Sequence, residues 1–324
     1  MKLIIQIPCY NEEMTLPLTL KELPDAIEGI DCVEWLIIDD GSTDNTLSVA
    51  KTHGVHHIVQ HTMNLGLARA FTSGLRHCLD LDADIIVNTD ADNQYKAADI
   101  PSLIGPILRG EADFVVGERP ISSIKHFSPI KKLLQRLGSL VVRLVSKTHI
   151  PDAPSGFRAM SRDAATKLNV FNDYTYTLET IIQAGQEGIA ITSVPIRTNN
   201  ELRPSRLIRS IPRYIVRSVI SIVRIFLIYR PYKAFLIPGL LSFFLGFALG
   251  LRFLYYYLTD GGAGHVQSVI LAALLLGLGI FLSVTGILAD LISVNRKLME
   301  KLDRKVQDVD RKLRELKRDQ HHDK

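Results

Sequence analysis

The first 202 residues predict an α/β domain built on a mostly parallel sheet with helices on both faces. Short apolar runs alternate five times with longer helical segments, a pattern typical of parallel strands joined by crossover helices. One run, Trp35-Leu36-Ile37-Ile38, is apolar at every position, as expected of a strand buried on both faces. Polar clusters follow several runs, and open α/β sheets place their ligands at strand ends. The sequence therefore predicts both the fold class and the edge that carries a site.

Apolar runs that are bounded by turn residues locate the individual elements. Strands are predicted at residues 3–7, 32–39, 57–60, 85–88 and 114–117, and helices at 14–28, 66–79 and 98–108. Pro8 is expected to stop the first strand because proline cannot donate a ladder hydrogen bond. Farther along, the pattern predicts a helix over 129–146, a turn at 152–158, a helix over 176–186 and a closing strand over 189–196.

Two acidic residues and an amide follow the fourth predicted strand. Asp90 and Asp92 fall on one side of an extended chain because side chains alternate with a period of two, and Gln94 continues that side if the backbone stays extended. Such an oxygen-donor set suits Mg²⁺ or Mn²⁺, which keep open positions for substrate phosphates. A solvated acidic turn is the alternative for an isolated D-x-D. The position at a strand end in an alternating strand–helix chain favours the metal site.

Charge is distributed unevenly along the chain. Residues 1–202 carry 18 Lys and Arg against 25 Asp and Glu, whereas residues 203–233 carry eight basic residues and no acidic one. An acidic domain followed by a purely basic strip argues against a nucleic-acid binder and for an anionic membrane surface. The three cysteines, Cys9, Cys32 and Cys78, form no C-x-x-C pair, which makes a disulfide framework or zinc site a poor expectation and a reducing compartment the default.

Two apolar stretches, residues 234–258 and 266–294, are long enough to cross a hydrocarbon core of roughly 30 Å. The loop between them lacks Lys and Arg, whereas the flanking segments are rich in both. The positive-inside rule therefore places the first domain and the C-terminus in the cytosol, at the plasma (inner) membrane. Gly246-x-x-x-Gly250 is expected to allow close approach of the two helices.

The segments that flank these stretches have patterns of their own. In the basic strip, 203–233, five arginines recur at helical spacing among apolar residues, which predicts amphipathic helices in the headgroup layer, split near Pro212: Arg206, Arg209, Arg213, Arg217 and Arg224. The tail, 295–324, has apolar residues at alternating spacings of three and four over fewer than three heptads. It is interpreted either as a short coiled coil, which would make a homo-oligomer, or as a solvated charged helix.

Five motifs occur in the order and spacing of family 2 glycosyltransferases with the GT-A fold, a Rossmann-like α/β fold. They are Pro8-x-Tyr10-Asn11-Glu12, Asp39-Asp40-Gly41-Ser42-Thr43-Asp44, Asn64-x-Gly66, Asp90-x-Asp92-x-Gln94 and Asp152-x-x-Ser155-Gly156-Phe157-Arg158. The chain most resembles the polyprenyl-phosphate branch of that family, typified by dolichyl-phosphate mannose synthase. The resemblance covers about the first 200 residues.

The resemblance implies roles for residues of these motifs. The nucleotide of a nucleotide-diphosphate sugar, a UDP- or GDP-sugar, would be held by Pro8, Tyr10, Asn11, Glu12, Asp39, Asp40 and Asp90. Asp90, Asp92 and Gln94 would organise Mg²⁺ or Mn²⁺ and the diphosphate, and Arg119 would face the phosphate of a polyprenyl phosphate, undecaprenyl or dolichyl. The branch also shows R-x-x-G-x-S-K before the membrane, where this chain has Asn200-Glu201-Leu202-Arg203-Pro204-Ser205-Arg206. Either Arg203 and Arg206 take over the phosphate contact or the acceptor site differs.

The chemistry of the acceptor separates the functional alternatives. A lipid phosphate, with a second pKa of about 6, is already largely ionised and needs cations more than a general base. Transfer would then rest on alignment and charge compensation, with inversion at the anomeric carbon. A hydroxyl acceptor would require a base, for which Glu179, interpreted as a helical surface residue, and Asp152 are the candidates. A non-catalytic membrane scaffold is the remaining alternative.

Overall fold

The structure is a computed structural model. It describes residues 1–120, 139–140, 142–144, 146–168, 170, 176–199, 216, 220, 223–224, 227, 230–261 and 266–322. The chain forms two compact units, Met1–Val219 and Ile220–Lys324. Several of the sequence expectations lie outside the described residues and remain predictions. They concern Arg203, the arginines at helical spacing from Arg206 to Arg217, and most of the helix predicted over 129–146.

The first unit contains a seven-stranded sheet. Its strands are β1 Lys2–Cys9, β2 Cys32–Asp39, β3 His57–Gln60, β4 Ile85–Asn88, β5 Phe114–Glu118, β6 Arg158–Ser161 and β7 Ile191–Pro195. The strand order is β3-β2-β1-β4-β6-β5-β7. Every pairing is parallel except those of β6, which runs antiparallel to both β4 and β5. The predicted α/β class and mostly parallel sheet are therefore confirmed, with one reversed strand in the interior.

Helices cover the sheet. The helices of the first unit whose bounds lie in the described part of the chain are α1 Leu16–Glu22, α2 Thr46–Thr52, α3 Leu67–Asp80, α4 Ile100–Leu108, α5 Arg162–Lys167 and α6 Thr177–Glu187, with a 3₁₀ turn at Ala97–Asp99 before α4. One core layer packs α1 and α4 against odd-numbered positions of β1, including Leu3, Ile5 and Ile7, which are all fully buried. Alternation along the strand assigns the even-numbered positions to the opposite face. There α3 approaches closely enough that a Cβ on Gly74 would lie 2.6 Å from the Gln6 side chain.

Two sequence expectations about β1 and α1 are wrong. Strand β1 does not stop at Pro8 but continues to Cys9. Its pairing with β4 ends at Gln6, and Pro8, two positions later, faces the same side, so the missing N–H leaves no ladder bond unmade. Helix α1 spans 16–22 rather than 14–28, because Leu23 leaves the helical region immediately before Pro24, as residues before proline usually do.

The second unit is a pair of long helices, α7 Pro231–Asp260 and α8 Val266–His322. Residues 231–259 and 266–296 are long and apolar enough to cross a membrane by length and composition, and few of them are buried. Helix α8 continues without interruption into the charged tail. Close packing occurs at Gly246, where a Cβ would lie 2.8 Å from the Leu276 backbone nitrogen, whereas a Cβ on Gly250 would meet nothing within 4 Å.

Candidate active site

The carboxyl ends of three neighbouring strands form the edge where the predicted site residues collect. Strands β1 and β2 end together, with Cys9 opposite Asp39, and β4 ends with Asn88 opposite Gln6. The next residues along each strand, Tyr10, Asp40 and Thr89, therefore start three adjacent loops. The sequence prediction of one ligand-binding edge agrees with this geometry.

The loop after β1 is fastened to the loop after β2. The Asn11 backbone N–H donates to Ser42 Oγ at 2.9 Å, and the Thr43 N–H donates back to Asn11 Oδ1 at 2.8 Å. The Glu12 N–H donates to Thr46 Oγ1 at 2.8 Å, at the start of α2. Asn11 itself has a φ of 56°, a left-handed conformation that asparagine tolerates better than most residues. Asn11 and Glu12 are thus held in place by their backbone.

The Asp40 carboxylate, which was expected to contact the nucleotide, already accepts hydrogen bonds from the protein itself. Its side chain is buried, and its Oδ1 and Oδ2 accept the backbone N–H groups of Leu65 and Gly66 at 2.9 and 2.8 Å. His61 Nδ1 also lies 2.8 Å from Oδ1. Asp40 therefore fixes the loop that leads into α3, the Asn64-x-Gly66 motif, and explains why that motif accompanies the acidic pair in the sequence.

Asp39 differs from its neighbour. Its Oδ1 accepts the Ser42 N–H at 3.1 Å, but its Oδ2 is buried and has no hydrogen-bond partner among the described residues. An unpaired buried carboxylate oxygen is costly, so a ligand that donates to it would be stabilised. Of the two acids, Asp39 is the one with hydrogen-bonding capacity left for a ligand. Tyr10, at the same edge, is 40% exposed and accessible to one.

The turn between these loops requires glycine. Gly41 has a φ of 71°, and a Cβ there would lie 2.5 Å from the carbonyl carbon of Met63. Both the backbone conformation and the contact exclude a side chain. The loop after β3 therefore packs directly on the loop after β2.

The D-x-D segment after β4 forms a turn rather than an extended chain. Asn93 has a φ of 55°, and Asp92 Oδ1 accepts the Gln94 backbone N–H at 3.1 Å, which closes an Asx turn. The condition on which Gln94 was expected to share a face with the two acids, an extended backbone, is therefore not met. Asp90 and Asp92 themselves are both partly buried at the sheet edge.

Asp90 lies in an environment that disfavours its negative charge. Burial and the nearby charge of Asp92 raise the pKa of the Asp90 carboxyl well above its usual value. A divalent cation would offset both effects, and two carboxylates are a donor set that Mg²⁺ and Mn²⁺ accept. Among the described residues no group of three or more His, Cys, Asp or Glu side chains could hold a metal ion. The two carboxylates therefore fit a cation that also takes oxygens from a bound diphosphate.

A buried polar network lies beneath Asp90. Gln6 Nε2 donates to Asn88 Oδ1 at 2.9 Å, and Asn88 Nδ2 donates to the Gly156 carbonyl and to Tyr176 Oη, both at 2.9 Å. The Gly156 N–H donates to Tyr95 Oη at 2.9 Å. A Cβ on Gly156 would lie 2.9 Å from both carboxylate oxygens of Asp90. The backbone at Gly156 therefore packs directly against the Asp90 carboxylate.

Sequence reasoning missed this network, although one signal was present. Gln6 interrupts an otherwise apolar strand, and a polar residue inside a buried strand needs a hydrogen-bonding partner. Its partner Asn88 lies 82 residues away. Tyr176, a further 88 residues on, stacks on Phe71 with ring centroids 3.9 Å apart. No local pattern identifies such partners.

Arg119 forms a buried ion pair with Asp152. Its Nε and Nη2 donate to the two carboxylate oxygens at 2.8 and 3.0 Å, and its backbone N–H donates to Oδ2 at 3.2 Å. Burial opposes the charge on the guanidinium, but Tyr95, Asp152 and Asp90 outweigh it and raise the pKa of Arg119. Arg119 is thus a fixed cation close to Asp90. Asp152, fully buried and bound to this arginine, is poorly placed to act as a general base.

Arg158 closes the loop that contains Asp152. Its fully buried guanidinium donates to the Ser155 and Ala153 carbonyls, both at 2.7 Å, and to Thr180 Oγ1 on α6. Burial lowers the pKa of Arg158 to about 10. The arginine of the Asp152–Arg158 motif therefore has a structural role, since it shapes the loop that carries Gly156.

The interpretation of Glu179 as a surface residue is wrong. It lies in the first turn of α6 and is only 7% exposed. From Thr177 to Ala184, every residue of α6 except the partly buried Leu178 is buried, so this part of the helix has no fully solvated face. A buried carboxyl remains compatible with a role as general base, and that alternative stays a prediction.

The first unit has the mixed α/β sheet of the GT-A class, with acidic residues at the carboxyl ends of its strands. The sequence profile described as Glycosyl transferase family 2 matches residues 4–168, half of the chain, and the chain belongs to this family.

Two relatives extend over most of their own length. The undecaprenyl-phosphate mannosyltransferase of Micrococcus luteus is 29% identical over 218 residues, 64% of this chain and 88% of the relative. The UDP-N-acetylglucosamine–dolichyl-phosphate N-acetylglucosaminyltransferase of Methanococcus voltae is 31% identical over 214 residues, 59% of this chain and 83% of the relative. The resemblance to the polyprenyl-phosphate branch is therefore confirmed.

Solved structures share the fold. Glucosyl-3-phosphoglycerate synthase from Mycobacterium tuberculosis, crystallised with Mn²⁺, UDP and glucosyl-3-phosphoglycerate, superposes with a TM-score of 0.52 at 20% identity, over 68% of this chain and 79% of that one. A crystal of the same enzyme with Mg²⁺ and UDP gives a TM-score of 0.53 at 22% identity. At this identity the likeness establishes the fold, and the GT-A prediction is confirmed.

Proposed function

We propose that this protein is a metal-dependent, inverting glycosyltransferase that moves a sugar from a nucleotide-diphosphate sugar to polyprenyl phosphate at the cytosolic face of a membrane. The observation that carries the proposal is the partly buried Asp90 carboxylate beside Asp92, at the edge where three strands end. The named relatives act on undecaprenyl or dolichyl phosphate, which supports the acceptor class.

Donor binding is assigned to the loops after β1 and β2. Asn11 and Glu12 are fixed by backbone hydrogen bonds, and Asp39 Oδ2 is a buried acceptor without a partner among the described residues. A nucleoside offers N–H and hydroxyl donors that can satisfy such an oxygen. Asp40 supports the same site indirectly, since it holds the loop that packs on Gly41.

Asp90 and Asp92 would hold Mg²⁺ or Mn²⁺ together with the diphosphate. A bound divalent cation supplies charge stabilisation for the nucleoside-diphosphate leaving group. Gly156 fixes the position of Asp90, because its backbone is packed against the carboxylate and is anchored by Asn88 and Tyr95. The protein's contribution is a preorganised site that needs little rearrangement during the reaction.

Arg119 is the residue assigned to the acceptor phosphate. Asp152 engages its Nε and Nη2, so the remaining Nη1 edge is the part that can contact a phosphate. The acceptor phosphate is largely ionised at neutral pH and attacks the anomeric carbon without a protein base. Attack opposite the diphosphate inverts the configuration there. Arg203 and Arg206, in the basic strip, are the further cations proposed for this phosphate.

The membrane arrangement completes the proposal. Helices α7 and α8 would cross the bilayer as a hairpin, with the catalytic unit and the C-terminus in the cytosol, because basic residues flank both spans on that side. The charged tail, which continues α8, would allow association of copies of the chain if it forms a coiled coil.

The direct test uses the purified full chain in detergent. It is incubated with UDP- and GDP-sugars and with undecaprenyl or dolichyl phosphate, with and without EDTA, and lipid extracts are analysed by mass spectrometry. We expect a phosphate-linked glycolipid from at least one donor, lost in EDTA and restored by Mg²⁺ or Mn²⁺. The absence of a glycolipid with every donor tested, or undiminished product in EDTA, would overturn the proposal.

The burial of Glu179 favours one second candidate, transfer to a hydroxyl acceptor with Glu179 as general base. Glu179→Gln separates the two functions. Under the proposed function this variant keeps transfer to polyprenyl phosphate within about threefold, whereas under the alternative a loss of about 10²–10⁴-fold is expected.

A further inference from the structure

The segment that follows β7, Arg197–Asn199, is bonded along its whole length to the loop that follows the D-x-D turn. The Arg197 carbonyl accepts the Lys96 N–H at 3.4 Å, and the Asn199 N–H donates to the Gln94 carbonyl at 2.8 Å. Between these contacts, Tyr95 and Thr198 form an antiparallel β-bridge. The two hydrogen bonds define this bridge, so the loop after Asp92 is paired with the segment through two backbone hydrogen bonds, on either side of Tyr95.

Side chains reinforce this pairing. The Arg197 backbone N–H donates to Asp99 Oδ2 at 2.6 Å, and its Nε donates to Oδ1 at 2.9 Å. Asp99 is 6% exposed, so these donors take the place of water at its carboxylate oxygens. At the other end, Asn199 Nδ2 donates to the Asn93 carbonyl at 3.1 Å and to Glu22 Oε2 at 3.2 Å. Asn93 is the left-handed residue on which the turn depends.

The turn contains one residue in an unfavourable backbone conformation, whose side-chain Nδ2 also donates to Glu22 Oε1 at 3.3 Å. Asn93 adopts a φ of 55°, a conformation that costs a non-glycine residue free energy unless its surroundings stabilise it. The Asx bond from Gln94 to Asp92 fixes the direction of the Asp92 carboxylate, so a relaxation of Asn93 or Gln94 would move that carboxylate. The bonds from Asn199 act on both of these residues.

We propose that the Arg197–Asn199 segment is a positioning strap that holds the Asp92 carboxylate in its cation-binding position. The inference rests on the proposed function, since it takes Asp92 as a metal ligand. Arg197 and Asn199 act through Asn93, Gln94 and Asp99 and touch neither substrate nor metal.

The strap also has a defined place in the chain. Asn199 is followed within four residues by the basic strip, 203–233, to which the proposed function assigns the acceptor phosphate. The metal-ligand loop and the acceptor segment are therefore joined through a stretch of backbone that is paired with the former and continuous with the latter. The strap therefore connects the metal-ligand loop, along the chain, to the segment that is proposed to contact the lipid phosphate.

The test compares Arg197→Ala/Asn199→Ala with a matched control, Arg162→Ala. Arg162 holds the loop before β4 in the same manner, through Asp82 and the carbonyls of Leu79 and Ala83. The control therefore loses a comparable set of arginine hydrogen bonds at the amino end of β4, whereas the D-x-D turn follows the carboxyl end of β4. Two quantities are measured on the full chain in detergent: hydrogen–deuterium exchange of peptides covering 92–98, and Mn²⁺ affinity from the electron paramagnetic resonance signal of free Mn²⁺.

We expect exchange in 92–98 to rise at least tenfold and the Kd for Mn²⁺ to rise at least fivefold in the double variant, with neither change in Arg162→Ala. The single variant Arg197→Lys keeps a positive charge beside Asp99 and the native Asn199. Its Kd for Mn²⁺ should therefore lie between those of the wild type and the double variant. Unchanged exchange, or faster exchange with unchanged Mn²⁺ affinity, would overturn the strap while leaving the proposed function intact. A wild-type chain that binds no Mn²⁺ even with UDP or GDP present would overturn both.

Discussion

Replacing Gly156 by alanine tests how closely the protein positions its central carboxylate. A Cβ at this position would lie 2.9 Å from both oxygens of Asp90 and 3.1 Å from Tyr176 Oη. Gly156 is not among the residues with a positive φ, so alanine can adopt its backbone conformation. The substitution therefore adds one methyl group against the carboxylate and changes little else.

The distances set the size of the effect. An ordinary carbon–oxygen contact is about 3.4 Å, so Asp90 or the Gly156 backbone must move by about 0.5 Å. A displacement of 1 Å at an active site costs on the order of 10²-fold in rate. The Gly156 backbone is anchored on both sides by Asn88 and Tyr95, so most of the movement should fall on Asp90. We expect kcat to fall about 10- to 100-fold at saturating metal.

The assay is transfer of sugar to polyprenyl phosphate, with thermal unfolding measured on the same sample. Gly105→Ala is the matched control, because its Cβ would meet only the flexible end of the Arg109 side chain, at 3.0 Å, in a helix that tolerates alanine. Wild-type kcat in Gly156→Ala, with Gly105→Ala also unchanged, would refute the claim that Asp90 needs its present position.

Three further outcomes follow from the same contacts. Because the pKa of the Asp90 carboxyl is raised, the folded chain binds this proton more tightly than the unfolded chain, and the stability of the fold falls as pH rises from acid towards neutral. Asp90→Asn should therefore raise Tm by a few degrees in EDTA at pH 8 and by less at pH 5. An unchanged or lower Tm at pH 8 would contradict this. Asn88→Ala leaves the buried Tyr176 hydroxyl without that partner, so unfolding by denaturant should show a loss of about 1–3 kcal/mol, and a loss below 0.5 kcal/mol would argue against the network. Gly246→Leu should disrupt the packing of α7 on α8 and lower the yield of folded protein in detergent. Gly250→Leu, at a position that faces open space, should leave the yield unchanged. Equal yields of the two variants would refute this packing.

The regular part of the fold could be predicted because its signals are local. Strands β2, β3 and β4 begin and end at the residues that apolar runs and turn residues indicated. Of the two errors, the one at β1 occurred where a distant partner decides the outcome. Pro8 remains in β1 only because the pairing with β4 has already ended at Gln6. Helix α1 is short because Pro24 stops it, a signal that the sequence did contain.

The sequence predicted that the candidate site residues gather at the carboxyl ends of the strands. It did not predict which of them form hydrogen bonds within the protein. Asp39 and Asp40 are adjacent acids in one motif, yet hydrogen bonds from Leu65 and Gly66 occupy Asp40, while Asp39 keeps an unpaired buried oxygen. Likewise Arg119 is paired with Asp152, 33 residues away. A motif names the residue types that a site needs, but only the packed structure shows which carboxylate is already hydrogen-bonded to the protein and which keeps an oxygen without a partner among the described residues.

The most direct measurement of the central claim is turnover by Asp90→Asn/Asp92→Asn in the polyprenyl-phosphate assay, beside wild type in EDTA. Glu111→Gln serves as control, since Glu111 is an exposed acid paired with Arg109 just before the amino end of β5, whereas the candidate site lies at carboxyl ends of strands. We predict that the double variant and the chelated wild type both lose at least 10²-fold in kcat, while Glu111→Gln keeps wild-type activity and metal response. Full-speed product formation by the double variant in EDTA would contradict the account.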